Sequence, residues 1–267
     1  MYLCKALFFL IALSIVPCWG DEEEPSDRVD LAELSQETLF VSLGSYCGPA
    51  GLSLSSGLRK AAFPFDWNVS FDGEKLIELL EDDFLHFLDD DYLLTDDFLI
   101  PFASGILLNI YYHIEFVHEG VFKGPDSLQK LELMKEKYRR RIDRFRNLRE
   151  YSGKVYFMRA GHLDSLTDHN RVFKNKDNIE ISPEYSLRLY KTLKMRFPKL
   201  NFSLIIINPP HPQQYPQEIE EESRILDNLI LVRAPIENAE QMQEAYKKFF
   251  FQLLKEDALS AGVQETL

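Results

Sequence analysis

The sequence predicts an α/β protein: a single domain built on a mostly parallel sheet flanked by helices. Three observations point there. First, β-rich runs alternate with helical periodicities through the second half of the chain, in the order "KVYFMRAG", "SPEYSLRLYKTLKMRF", "NFSLIIIN", "NLILVRAP" and "ENAEQMQEAYKKFFFQLLKE". Strands linked by crossover helices produce that alternation. Second, "NFSLIIIN" is apolar nearly throughout, as a strand covered on both faces has to be. Third, the aromatic content of 13% is enough to fill a substantial core.

The elements follow in chain order. The chain opens "MYLCKALFFLIALSIVPCWGDEEEPSD". Lys5 precedes an apolar run from Ala6 to Val16, Pro17 breaks it, and the small residues Cys18 and Gly20 stand before an acidic run. This is the layout of a secretory signal peptide over residues 1–20, with an apolar core too short to span a bilayer. An exported protein, secreted or periplasmic, is expected. Residues 21–37 read as a flexible acidic arm, 38–257 as one α/β domain of catalytic type, and 258–267 as a flexible tail. No later run is long and apolar enough for a transmembrane helix, so no stable membrane span is expected once the leader is removed.

"TLFVSLG", Thr38 to Gly44, is short and β-rich, and predicts the first strand. Gly48-Pro49 predicts a helix start, with a stop near Gly57. "FPFDWNVSF" is aromatic and broken by proline, and reads as an ordered loop. In "DGEKLIELLEDDFLHFLDDDYLL" the residues Leu76, Leu79, Leu80, Phe84, Phe87 and Leu88 recur at helical spacing. "ILLNIYYHIEFVH" predicts one or two strands. From Asp126 to Gly153 the apolar residues recur every three or four positions, with Asp126 a candidate N-cap, Gly153 a stop, and basic residues crowding the C-terminal half.

The formal net charge is −13. Such a surface repels phosphate backbones, so nucleic acid is not expected as a partner. Two of the three cysteines, Cys4 and Cys18, lie in the leader. The mature chain keeps Cys47, which excludes an internal disulfide and any metal site made of several cysteines. No metal or other cofactor is expected. Oligomeric state is not legible in the sequence.

Cys47 follows the first strand and stands where a helix begins. Sites in open α/β sheets form at the carboxyl ends of strands. A helix N-terminus presents unpaired N–H groups and partial positive charge, which stabilise a thiolate and hold an oxyanion. Gly44 and Gly48 permit a tight turn and close approach of a substrate. The alternative for this residue is a small apolar side chain packed in the interior.

A nucleophilic thiol needs a base. Six histidines are available: His86, His113, His118, His162, His169 and His211. His118 stands at the edge of a strand beside Glu119, and His162 follows the strand "KVYFMRAG". Asp66, between Phe65 and Trp67, is a partly desolvated carboxylate that needs an Arg, a His or backbone N–H groups as partner. Arg159 reaches a strand's carboxyl end, where it is suited to pair with Asp66 or to bind an anionic substrate group. Asn68 and Asn201 match the glycosylation pattern. The basic run "EKYRRRIDRFRNLR" and the acidic run "DDFLHFLDDDYLLTDD" read as solvated faces. There is no phosphate-binding glycine loop, no Gly-x-Ser-x-Gly and no His-Glu-x-x-His.

"SLGSYC…GLRKAAFPFDW", then "LIELLEDDFLHFL", "IEFVHE", "KYRRRIDRF" and "KVYFMR" together resemble a family of uncharacterised proteins described as papain-like cysteine peptidases. The similarity runs from about Leu39 to Asn208. It implies Cys47 as nucleophile and His118 as its partner, with Asp66, Arg144 and Arg159 as further site residues. Ser45, Gly48 and Glu119 complete the candidate substrate contacts. The family pattern has His-Asp where this chain has His118-Glu119. The family name implies a papain-like α+β fold with an antiparallel sheet, whereas the periodicity predicts a parallel one.

The resulting expectation is a secreted cysteine-dependent, peptidase-like hydrolase. Cys47 attacks a peptide or other carbonyl substrate, His118 is the base, and Asp66 or Glu119 orients it. The alternatives are a non-catalytic secreted binding protein with a protein or glycan partner, and a sugar- or phosphate-active α/β enzyme that does not use the cysteine.

Overall fold

The structure, a computed structural model, describes residues 25–34, 37–45, 47–70, 72–96, 105–161, 181–208, 220–233 and 239–260. The expected signal peptide, His162, His169, His211 and the last seven residues of the expected tail lie outside these residues.

A five-stranded sheet organises the chain, in the order β1-β5-β6-β8-β7. Its strands are β1 (Leu39–Ser42), β5 (Lys154–Ala160), β6 (Asn201–Asn208), β7 (Glu220–Leu226) and β8 (Leu229–Arg233). β1, β5, β6 and β8 are parallel, so the mostly parallel α/β sheet predicted from the sequence is present. β7 pairs antiparallel with β8 at one edge, with register breaks at Glu221/Ser223 and Arg224/Leu226. A smaller antiparallel sheet holds β2 (Leu93–Thr95), β3 (Leu107–Asn109) and β4 (Ile114–Glu115).

Alternation along the strands sends side chains to two cores. Leu39, Val41, Val155, Phe157, Leu204 and Ile206 face one core, which they share with helices α2 (Gly73–Glu81), α3 (Ser127–Asn147) and α4 (Pro183–Arg196). Phe40, Tyr156, Met158, Ile205 and Ile207 face the other, covered by α1 (Gly48–Ser55) and α5 (Ala239–Ser260) through Leu52, Tyr246, Phe250 and Leu253. Both faces of the sheet are therefore dry, which is why β6 reads as an unbroken apolar run.

The helix ends follow local chemistry. Ser182 accepts a hydrogen bond from the Tyr185 N–H at 3.2 Å and starts α4. The Asp72 carboxylate accepts from the N–H groups of Glu74 and Lys75 and starts α2. Asp126 occupies the position before α3 without a side-chain cap.

Three expectations change. The helix predicted through Leu88 stops at Glu81, and Asp83 and Phe84 adopt positive φ of 59° and 63°. Carboxylates at a helix C-terminus oppose its dipole, and Asp83 is drawn out of the helix by Arg146 and Arg196. Phe84 and Phe87 still enter the core, from turns. Second, part of the acidic arm is packed: residues 25–28 and 31–34 form 3-10 turns, Leu31 joins the core and Asp27 is buried on Arg141. A buried ion pair and a buried leucine overcome the ordering cost of this polar stretch. Third, α5 runs to Ser260, into the expected tail. Asn68 is fully buried and bonds the Pro64 carbonyl, so it is closed to glycosylation in the folded chain.

Candidate active site

The site is assembled at the carboxyl end of β1. Leu43 continues the strand's pairing, its N–H donating to the Met158 carbonyl at 2.8 Å. The chain then reverses through Gly44 (φ 75°) and Ser45 (φ 79°). Glycine tolerates this geometry; for serine it costs about 1–2 kcal/mol, so something must hold it. Cys47 follows as the N-cap residue of α1, partly exposed and in no disulfide among the described residues. Its carbonyl accepts from the Gly51 N–H at 2.8 Å, closing the first helical turn. Gly48 is the first helical residue and Pro49 the second. The strand-to-helix placement expected for Cys47 is thus present.

The segment "FPFDWNVS" packs against this turn. Asp66 is 2 % exposed. Its Oδ2 accepts from the Phe63 N–H at 2.8 Å and from Arg59 Nη2 and Nε at 2.8 and 3.2 Å. The Arg59 guanidinium lies 5.3 Å from the centre of the Trp67 ring. The Trp67 ring in turn meets the imidazole of His118 edge-on, with centroids 5.7 Å apart. Val69 bridges Glu115 antiparallel, exchanging both backbone hydrogen bonds at 2.9 Å. Ser70 bonds the backbone of Ser45 on both sides: its N–H donates to the Ser45 carbonyl at 3.0 Å and its Oγ accepts from the Ser45 N–H at 3.2 Å.

Arg159, on β5, is 2 % exposed. It donates through Nη1 to the Leu43 carbonyl at 2.8 Å and to Ser70 Oγ at 3.0 Å, and through Nη2 to the Ser70 carbonyl at 2.5 Å. Burial pulls this guanidinium below its ordinary range, while the Tyr185 and Asp72 side chains act the other way. Arg159 is therefore bonded to the turn that presents Cys47, while the partner of Asp66 is Arg59.

The remaining candidates divide. Glu119 follows His118, and its carboxylate is paired with Lys137. Arg144 is spent on main chain: it donates to the carbonyls of Val29, Ala62 and Asp27 at 2.9, 2.6 and 2.7 Å, tying the N-terminal 3-10 turns to the start of the "FPFDW" loop. Ser45, Gly48 and Cys47 stand together at the turn, Arg159 is bonded to it, His118 meets the Trp67 ring, and Asp66 reaches that ring only through Arg59. Arg59, Trp67 and Ser70 were not singled out from the sequence. An Arg seven residues before a carboxylate flanked by aromatics was a usable signal for the first two; nothing in the sequence marked Ser70. An open cleft of about 540 Å³ lies elsewhere, between Asp27–Leu31 and the Arg140–Asn147 end of α3. Among the described residues no group of three or more His, Cys, Asp or Glu side chains is placed to hold a metal ion, and no helix is long and apolar enough to cross a membrane.

Cys47 thus stands partly exposed at a strand-to-helix turn of an α/β protein, and the His118 ring rests on Trp67 of the neighbouring aromatic loop. Residues 38–211 match the family described as "Putative papain-like cysteine peptidase (DUF1796)", and the chain belongs to that family. It is also similar to an uncharacterised protein of Acanthamoeba polyphaga mimivirus, 27% identical over 192 residues that span 66% of this chain and 80% of the relative. No solved structure matches the chain.

Proposed function

We propose that this protein is an exported, cysteine-dependent hydrolase of peptidase type, with Cys47 as nucleophile and His118 as general base. The observation that carries the reading is the position of Cys47 at the N-terminus of α1, directly after the carboxyl end of a parallel strand. The helix N-terminus favours negative charge on the sulfur. In the reaction His118 removes the thiol proton, Sγ bonds to the substrate carbonyl carbon, and the carbonyl oxygen takes the displaced electron pair. N–H groups of the first turn of α1 stabilise that oxyanion. Collapse of the intermediate expels the amine or alcohol, which takes the proton from His118. Water, deprotonated by the same histidine, then releases the acyl group and restores the thiol. Asp66 serves as a positioning residue: it fixes Arg59, which packs on Trp67, which packs on His118. Family membership supports a peptide substrate, and the N-terminal leader pattern supports export.

The test uses the chain from Asp21 onward, in which Cys47 is the sole thiol. The rate of Cys47 alkylation against pH should show a midpoint at or below about 6.5, where an ordinary cysteine titrates near 8.5. Cys47→Ala and Cys47→Ser should fold and lose turnover of a peptide, ester and isopeptide panel. A midpoint at or above 8.5, or turnover retained by both variants, would overturn the reading.

A further inference from the structure

The four residues Trp67 to Ser70 touch both members of the proposed dyad's surroundings. At one end Ser70 hydrogen-bonds Ser45, two residues before Cys47, through both its N–H and its Oγ. One residue earlier, Val69 exchanges two backbone hydrogen bonds with Glu115, three residues before His118. At the other end the Trp67 ring meets the His118 ring. A four-residue segment, a turn and bend ending in a β-bridge, therefore joins the turn before Cys47 to the segment that carries His118.

Ser70 is the residue on which this arrangement converges. It is 4% exposed. Its Oγ accepts from Ser45 N–H and from Arg159 Nη1, and its carbonyl accepts from Arg159 Nη2. The same guanidinium holds the Leu43 carbonyl, at the other end of the Gly44–Ser45 reversal. Ser45 is held at positive φ, a geometry a non-glycine residue leaves unless neighbours enforce it. The fit at Gly44 is close as well: a Cβ there would lie 2.6 Å from Ser70 Oγ.

We propose that Ser70 is a positioning residue for the thiol: through Ser45 and Arg159 it fixes the turn that places Cys47 at the start of α1 and, through Val69 and Trp67, sets Cys47 against His118. The proposal rests on the hydrolase reading above. Removing the hydroxyl leaves Ser45 N–H and Arg159 Nη1 without that acceptor, and the turn relaxes.

The experiment compares the Cys47 alkylation profile of the chain from Asp21 with those of Ser70→Ala and Ser70→Thr. Ser70→Ala should remain folded by circular dichroism. Its alkylation midpoint should rise by about one pH unit toward 8.5, with the rate at pH 6.5 falling by up to about fivefold. Ser70→Thr, which keeps the hydroxyl, should restore most of that loss. Should Ser70→Ala fail to fold, Arg159→Lys carries the test. A lysine cannot fork between Leu43 and Ser70, and the same upward displacement is expected. A parent profile with a low midpoint that neither Ser70→Ala nor Arg159→Lys displaces overturns this proposal and leaves the hydrolase reading standing. A parent midpoint at or above 8.5 overturns both.

Discussion

The carboxylate of Asp27 is gripped side-on by the guanidinium of Arg141, with Nε to Oδ1 at 2.6 Å and Nη2 to Oδ2 at 2.8 Å, and each side chain is 2% exposed. The pair joins the N-terminal 3-10 turn, which precedes the stretch that matches the family, to α3 within that stretch. Asp27→Ala would leave a buried, unopposed guanidinium. A loss of about 3–5 kcal/mol is expected, read from urea denaturation. The double replacement Asp27→Leu with Arg141→Met should recover much of it, because an apolar pair needs no compensation. A single variant within 1 kcal/mol of the parent would contradict the role given to this pair.

The same pair makes a pH prediction. Burial alone would raise the Asp27 carboxyl, but the Arg141 hydrogen bonds and charge outweigh it and hold the group below its ordinary value. A carboxyl whose folded value is depressed contributes stability above its unfolded value, near 3.9, and that contribution disappears as pH falls through the folded value. The parent should therefore lose stability more steeply than Asp27→Asn between about pH 4 and the acid transition. Parallel melting curves against pH would show that Asp27 contributes nothing to the acid limb.

Gly44 stands at φ 75°, and a Cβ on it would lie 2.6 Å from Ser70 Oγ. Gly44→Ala combines backbone strain of about 1–2 kcal/mol with that clash. The variant should melt lower and alkylate Cys47 more slowly at pH 6.5. Unchanged melting and unchanged alkylation together would show that the turn is more compliant than its geometry implies.

Asp66 separates two kinds of influence on His118. Asp66→Asn keeps an oxygen for the Phe63 N–H but removes the charge facing Arg59, in a pair 2 and 3% exposed. About 1–3 kcal/mol of stability should be lost. If Asp66 acts only by holding the Arg59–Trp67 stack, the rate falls while the pH optimum stays. A displaced optimum would place the carboxylate in direct electrostatic contact with the histidine.

Phe145 touches the rings of Phe65, Phe84, Phe157 and Phe197 and is fully buried. Phe145→Ala should cost about 3–5 kcal/mol, seen as a lower denaturation midpoint, while Cys47 in the fraction that stays folded keeps the parent's alkylation profile. A small cost would mean that the aromatic cluster collapses into the cavity.

The parallel strands were legible because burial on both faces leaves a plain mark: β1, β5, β6 and β8 are short apolar runs with few polar interruptions. β7 was not. "EEESRIL" is charged over most of its length, as an edge strand is, and follows a proline-rich stretch that reads as loop. The helix through Leu88 was overextended because Phe84 and Phe87 sit at helical intervals yet reach the core from turns. The bonds that end the helix come from Arg146 and Arg196, more than sixty residues away. The arm failed for a related reason: Asp27 is an ordinary acidic residue until Arg141 is brought to it. At the site, Cys47 could be placed from strand, glycine and helix start alone. Ser70 could not, because its Oγ bonds the N–H of a residue 25 positions earlier, and such contacts leave no compositional trace.

β7 also bears on how the protein behaves at high concentration. A parallel sheet whose last strand offered a straight, apolar edge would recruit the same strand from another copy. Here the last strand runs antiparallel to its neighbour, breaks register twice, and carries Glu220, Glu221, Glu222 and Arg224. An incoming chain would meet interrupted hydrogen-bond spacing. The two register breaks and the antiparallel direction of β7 therefore act as a guard against fibre-like stacking of copies.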